Sequence, residues 1–164
     1  MAEAQYQKPL PAISSLNKPF WDALKKRELR LQKCDGCGRV WYPPSPLCPG
    51  CWSRKFTWTR LSGQGRINSW VVFHQSYFRG FDSEVPYNVA EVELDEGPRL
   101  LTNLVGVSND QIRAGMRVEI VFEDVTGEIT LAKFRPQNPH SDPLPSGTLT
   151  SPLPQQSGRG TGKS

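Results

Sequence analysis

Apolar and polar positions alternate through most of the second half of the chain. From Tyr87 to Asp95, Val89, Glu91 and Glu93 fall on one side and Ala90, Val92 and Leu94 on the other, the period of two expected of a half-buried strand. Arg66 to Gln75 predicts a strand before it and Arg99 to Val105 one after it. Arg117 to Glu123 then turns Val118, Ile120 and Phe122 inward, and Ile129 to Arg135 completes the set after the Thr126-Gly127 turn. Between the third and fourth strands, Ser108, Asn109, Asp110 and Gly115 mark a turn with room for one helical turn. Five short strands with a small element in that place fit a small closed Greek-key barrel of the OB type. The pattern also accommodates an open sandwich.

Before Gly63 the periodicity differs. Asn17 stands as a helix N-cap with Pro19 in the first turn, and Phe20, Trp21, Ala23 and Leu24 share one face of a short helix from Lys18 to Arg27. Its Lys25, Lys26 and Arg27 would complement the helix dipole. Leu29-Arg30-Leu31-Gln32-Lys33 alternates as a strand leading into Cys34. From Cys34 to Cys51, the pairs Asp35-Gly36, Pro43-Pro44 and Pro49-Gly50 leave space only for knuckles and turns. The fold class that results is mainly β: an extended arm (1–17), a helix and metal ribbon (18–60), a five-stranded OB-type barrel (61–135) and a tail (136–164). Tyr6, Leu10 and Ile13 of the arm offer groups that could dock on a neighbour. The tail holds six Pro, four Gly and five Ser with no aromatic residue, and such a segment cannot bury enough surface to offset the entropy of ordering it. It is expected to be disordered.

Length and charge sharpen this picture. The chain has 164 residues, 37% hydrophobic, and its longest purely apolar run is Trp70-Val71-Val72-Phe73, far short of the roughly 20 residues of a bilayer span. No secretory signal is visible at the start, so a reducing cytoplasm is the expected setting. Residues 18–60 carry ten Lys and Arg against three Asp and Glu, whereas residues 61–135 carry seven against eleven. A basic module beside an acidic barrel predicts attraction of the first to something anionic.

The strongest chemical signal is Cys34-Asp35-Gly36-Cys37 followed after ten residues by Cys48-Pro49-Gly50-Cys51. Two thiolates two residues apart in a tight turn face one ion, and two such turns supply the four soft ligands of a tetrahedral site. Disulfides do not suit a reducing compartment, and a redox dithiol would need only one pair. Structural zinc is expected at Cys34, Cys37, Cys48 and Cys51, with no open position for a catalytic water.

The residues for catalysis are few. His74 and His140 are the only histidines, and neither a G-x-x-x-x-G-K-[ST] loop nor a G-x-G-x-x-G fingerprint occurs. A stand-alone enzyme would depend on His74. More suggestive is the stretch Ser76 to Pro86, where Tyr77, Phe78 and Phe81 surround Arg79 and Gly80. A surface loop of that composition either covers the barrel mouth or meets a partner.

Taken in order, Phe20-Trp21, Glu28-Leu29-Arg30-Leu31-Gln32-Lys33-Cys34, Cys37-Gly38-Arg39, Tyr42-Pro43-Pro44, Leu47-Cys48-Pro49, Ser62-Gly63-Gln64-Gly65, Val85-Pro86-Tyr87, Val92-Glu93-Leu94-Asp95-Glu96-Gly97-Pro98-Arg99-Leu100-Leu101, Gly115-Met116-Arg117-Val118 and Phe134-Arg135-Pro136 closely resemble the rubredoxin-like zinc-ribbon plus OB-fold family that accompanies thiolases, long described as a domain of unknown function. The resemblance runs from about Phe20 to Pro136. It implies a small non-catalytic subunit beside a thiolase-fold partner that cleaves or forms C–C bonds in acyl-CoA thioesters, steroid side chains included. It also implies a part in holding or passing the acyl-CoA. The surfaces expected to meet acyl-CoA or the partner are the loop with Phe78, Arg79 and Phe81 and the helix with Trp21 and Lys25. A single-stranded nucleic-acid module is the alternative, since both domain types bind polynucleotides, but an acidic barrel is poorly suited to tracking phosphates.

Overall fold

The structure, a computed structural model, describes residues 6–137. Its first element is the helix α1 (Lys18–Lys25), which buries Phe20, Ala23 and Leu24, the i, i+3, i+4 stripe of an amphipathic helix. Asn17 occupies the N-cap position, but its side chain points backwards. Its Oδ1 accepts from the Ser14 amide at 2.7 Å and its Nδ2 donates to the Ala12 carbonyl at 3.0 Å, so it organises the preceding turn. The helix stops two residues before the expected end. Arg27 takes a left-handed φ of 61°, and the Glu28 amide donates to the Ala23 carbonyl at 3.0 Å, a left-handed C-terminal cap. Arg27 therefore leaves the helix end and pairs with Asp124 while lying over the Phe122 ring.

The ribbon is a three-stranded antiparallel sheet of β1 (Arg30–Cys34), β2 (Val40–Trp41) and β3 (Phe56–Arg60) in the order β2-β1-β3. The sequence reading contained no third strand here. Phe56-Thr57-Trp58-Thr59-Arg60 nevertheless carries the aromatic and β-branched composition of one, and it pairs with β1 from Arg30↔Arg60 to Cys34↔Phe56. The Leu61 amide then donates to the Leu29 carbonyl at 2.8 Å, so the ribbon sheet passes directly into the next.

The second sheet contains β4 (Gln64–Phe73), β5 (Tyr87–Leu94), β6 (Arg99–Thr102), β7 (Arg117–Asp124) and β8 (Thr130–Pro136), in the order β6-β5-β4-β7-β8. The long β4 pairs with β5 along its length and with β7 only through Gln64, Gly65 and Arg66. A register shift between Ile67 and Ser69 bends it, as bulges do. Gly65 is required by packing, since a Cβ there would run into the Glu93 carbonyl. Ala90, Val92, Leu94, Ile67, Val118 and Phe134 fill the interior. Closure is short: Leu104 and Phe134 form a parallel bridge, with the Val105 amide donating to the Phe134 carbonyl at 2.8 Å. The buried Asn88 fixes the chain at that point, its Oδ1 accepting from the Leu104 amide at 2.7 Å and its Nδ2 donating to the Leu104 carbonyl at 3.1 Å. The expected helical turn is a 3-10 turn at Asn109–Gln111.

Beside the bridge of Leu104 and Phe134 the Phe134 amide donates to the Asn103 carbonyl at 3.2 Å, and between β6 and β8 the Thr102 hydroxyl donates to the Ala132 carbonyl at 2.9 Å. Helix α1 lies over this gap. Phe20, Trp21 and Leu24, with Tyr42 of the ribbon, line a small apolar recess against Leu100, Leu101, Leu131 and Ala132. Leu29 and Leu31 of the ribbon segment belong to the same core cluster as the barrel interior. The arm's Lys8 pairs with Glu84 and sits 4.8 Å over the Phe81 ring, while Leu10 and Ile13 stay exposed. Pro136, assigned above to the tail, is the last residue of β8, paired with Val118, and the Gln137 amide still donates to the Arg117 carbonyl at 3.0 Å. The remainder of the expected disordered tail lies outside the described residues.

Candidate metal centre and exposed surfaces

All four Cys side chains meet at one end of the ribbon, with every sulfur within 4.8 Å of the others. Cys34 Sγ lies 3.4 Å from Cys51 Sγ, and Cys37 Sγ lies 3.6 Å from Cys48 Sγ. An ideal tetrahedral zinc with Zn–S bonds of about 2.3 Å would set sulfurs about 3.8 Å apart, so the donor set fits that ion in kind, number and spacing. Cys34 and Cys48 are buried and Cys37 and Cys51 exposed. Trp41, 5.8 Å from Phe56 in an edge-to-face contact, packs over the buried side.

The backbone builds the site twice. In the first knuckle the Gly38 amide donates to the Cys34 carbonyl at 3.0 Å and the Cys34 amide to the Arg39 carbonyl at 2.8 Å. In the second, the Trp52 amide donates to the Cys48 carbonyl at 2.9 Å and the Cys48 amide to the Ser53 carbonyl at 2.9 Å. Each knuckle aims an amide at its first sulfur, Cys37 N to Cys34 Sγ and Gly50 N to Cys48 Sγ, both at 3.4 Å. Each also needs a left-handed residue after its second Cys, supplied by Gly38 at φ 74° and by Trp52 at φ 61°.

Electrostatics follows from this crowding. The Cys37 amide draws the Cys34 thiol down to about 6. Burial opposes ionisation of Cys48, but the Gly50 and Cys51 amides outweigh it and its pKa is lowered. At Cys51 the Ser53 amide lowers the pKa, yet the neighbouring sulfurs of Cys34, Cys37 and Cys48 push it up to about 12. Four sulfurs this close share protons among themselves, and a divalent cation would let all four ionise.

The loop between the knuckles is held by Gln32, which is fully buried in β1. Its Nε2 donates to the Ser45 carbonyl at 3.0 Å and its Oε1 accepts from the Ser45 amide at 2.8 Å. In the alternation of β1 Gln32 is a polar strand position, and nothing in that pattern distinguishes a solvent-facing Gln from one that clamps a loop. Gln32→Ala leaves both Ser45 groups without their partner and is expected to cost about 1–3 kcal/mol. A melting-temperature comparison of zinc-loaded proteins checks this, and an unchanged value would show that water replaces the clamp.

The other residues singled out above fall in two places. Tyr77 and Phe78 are exposed, Phe78 at 57%, and the neighbouring Arg79 is exposed too. Phe81 is half-buried beneath them, stacked 5.0 Å from Tyr87, which itself stacks 5.2 Å from Phe73. The loop is thus both a self-packed cap and an exposed tip. On α1, Lys25 is exposed, while Trp21 is half-buried against Phe20 at 5.1 Å with its indole N–H unpartnered. His74 is exposed at the end of β4. Among the described residues no helix is long and apolar enough to cross a membrane.

Comparison with known proteins agrees with this two-part architecture. Residues 21–57 match the family described as ChsH2, rubredoxin-like zinc ribbon domain, and residues 58–123 that described as ChsH2, C-terminal OB-fold domain. A DUF35 domain-containing scaffold protein of Methanocaldococcus jannaschii is 32% identical over 71% of this chain and 87% of its own. A probable enoyl-CoA hydratase alpha subunit of Thermomonospora curvata is 40% identical over 82% of this chain, which spans only 42% of that relative. Benzoylsuccinyl-CoA thiolase subunit BbsA of Thauera aromatica is 28% identical over 48% of this chain and 52% of its own. Among solved structures, a chain of the Ltp2-ChsH2(DUF35) aldolase superposes with a TM-score of 0.71 at 40% identity, covering 77% of this chain and 98% of that one. A zinc-ribbon match, an OB-fold match and a scaffold-protein relative aligned over most of its length converge on one conclusion: the chain belongs to the DUF35 family of rubredoxin-like zinc-ribbon plus OB-fold proteins.

Proposed function

We propose that this protein is a non-catalytic subunit of an enzyme complex acting on acyl-CoA thioesters, paired with a thiolase-fold subunit that makes or breaks the C–C bond. The observation that carries the reading is the 40% identity to the DUF35 chain of an aldolase assembly, over nearly all of that chain. The hydratase and thiolase subunits among its relatives share the acyl-CoA chemistry. The residues support it as well. All four thiols sit in one cluster, so none is left as a nucleophile. The cluster is assigned to a structural zinc held by Cys34, Cys37, Cys48 and Cys51, which staples a ribbon too small to fold on its own core.

Contact with the large subunit is assigned to the loop tip of Phe78 and Arg79, with Phe81 as its packed base, and to α1 through its exposed Lys25 and the half-buried Trp21. An exposed aromatic beside an Arg is a common interface anchor. The basic segment 18–60 suits the phosphates of CoA at that boundary. Co-expression with a thiolase-fold subunit is expected to yield a stable hetero-oligomer more active than the large subunit alone, while the isolated small chain turns nothing over. Changing Phe78 and Phe81 together to Ser should weaken assembly or acyl-CoA affinity by about tenfold or more, with zinc content unchanged. Robust turnover by the isolated chain refutes the reading. Tight, salt-sensitive binding to single-stranded DNA without any large subunit would favour the nucleic-acid module instead.

A further inference from the structure

The two zinc knuckles are copies of one hydrogen-bond pattern, and they differ at the position where the difference is least expected. Gly38 supplies the left-handed turn of the first knuckle at φ 74°, and a Cβ there would meet nothing within 4 Å. The equivalent position of the second knuckle holds Trp52, at φ 61° and 73% exposed. Left-handed φ disfavours an L side chain, and glycine meets the need without strain. A large apolar side chain this exposed adds little to the ribbon's own packing. Trp52 therefore stands against both the local backbone preference and the solvent. Residues held in such conformations concentrate where they contact something else.

The surroundings indicate what that contact is. Arg39 of the first knuckle lies against Gly50 of the second, close enough that a Cβ on Gly50 would stand 2.9 Å from its Nε, and Arg54 and Lys55 follow Trp52 after Ser53. Among the described residues these three side chains make no ion pair, whereas four of the barrel's seven Lys and Arg, Arg99, Arg117, Lys133 and Arg135, are each paired with a carboxylate. An exposed apolar knob on a knuckle that carries unpaired cations complements an apolar socket with an acidic rim. A small ligand would need a concave site that buries most of its surface, and a residue this exposed is not in one. A single-stranded nucleic acid would need successive stacking platforms along a groove, and the knuckle offers one aromatic on a projecting turn.

We infer that the second zinc knuckle is a protein-docking knob, with Trp52 inserting into an acidic-rimmed apolar socket on the large subunit and Arg39, Arg54 and Lys55 meeting the rim. The inference rests on the accessory-subunit reading and adds a contact separate from the Phe78 loop. Trp and Arg are the residue types that dominate binding energy at such centres, and rim cations speed encounter in a salt-dependent way.

The test compares wild type, Trp52→Gly, and the double reversal Arg54→Glu with Lys55→Glu, each zinc-loaded and titrated against a purified thiolase-fold subunit. Trp52→Gly installs the residue that the twin knuckle already uses, so its melting temperature should equal or exceed that of wild type while affinity falls about tenfold or more. The double reversal should slow association and remove most of its salt dependence. If wild type binds and Trp52→Gly binds equally well, the knob is overturned and the accessory reading stands. If wild type binds no such subunit, both fall. A melting temperature lowered by Trp52→Gly would give Trp52 a structural role and overturn the inference, as would Trp52-dependent binding of an oligothymidine strand tighter than that of the subunit.

Discussion

Cys48→Ser, or removal of the metal by a chelator, is expected to unfold the ribbon. Structural zinc contributes about 10–16 kcal/mol to the folding of zinc-finger peptides, far more than the ribbon's few buried groups, Trp41 with Cys34 and Cys48 and a flanking Phe56, could replace. Amide exchange should become fast across Arg30–Arg60, and the barrel should lose part of its protection, because Leu29 and Leu31 lie in its core cluster. Binding also releases protons. In the metal-free cluster the neighbouring sulfurs hold Cys51 up to about 12, so metal loading at neutral pH displaces its proton, and acidification should reprotonate the thiolates and release the ion. Metal analysis of protein grown with ample zinc should give about one ion per chain. Protein without bound metal, or a Cys48→Ser protein with unchanged metal content and solubility, would refute the assignment.

Phe134→Ala should be the most damaging single change in the barrel. Phe134 is fully buried and provides half of the parallel bridge to Leu104 that closes the sheet. Truncating a buried Phe costs about 3–5 kcal/mol, and here the space opens onto a seam with few other bonds. For a domain of this size that corresponds to a fall of roughly 10–20 °C in melting temperature. Leu101→Ala, at a side chain 74% exposed, should shift stability by no more than about 0.5 kcal/mol. Equal effects of the two changes would show that the Phe134 side chain does not support the core beneath the closure.

The elements that can be read along the chain are those whose cause is local. Period-two alternation locates β5 and β7 within a residue or so, because one face of each meets a core and the other meets water. The paired C-x-x-C spacing specifies four ligands through the geometry of two short turns. β3 was missed although its composition favours a strand, since its partner β1 lies more than twenty residues back and the loop between them carries the stronger turn signals. Trp52 also escaped notice. Its meaning depends on the match between two knuckles, visible in hydrogen bonds and φ but not in residue types, which differ at that position.

A helix, a four-thiol ribbon, five barrel strands and a charge split between basic and acidic halves are legible along the chain, because propensity, periodicity and ligand spacing act over a few residues. The tertiary structure alone decided how the barrel closes, through Leu104 and Phe134, and that α1 covers the remaining seam with Phe20 and Leu24. The same packing gave Gln32 its buried clamp on Ser45 and left Trp52 exposed. These outcomes depend on which surfaces meet after distant segments pack, and a buried Gln and an exposed one, or a packed Trp and a projecting one, have the same local pattern until that packing separates them.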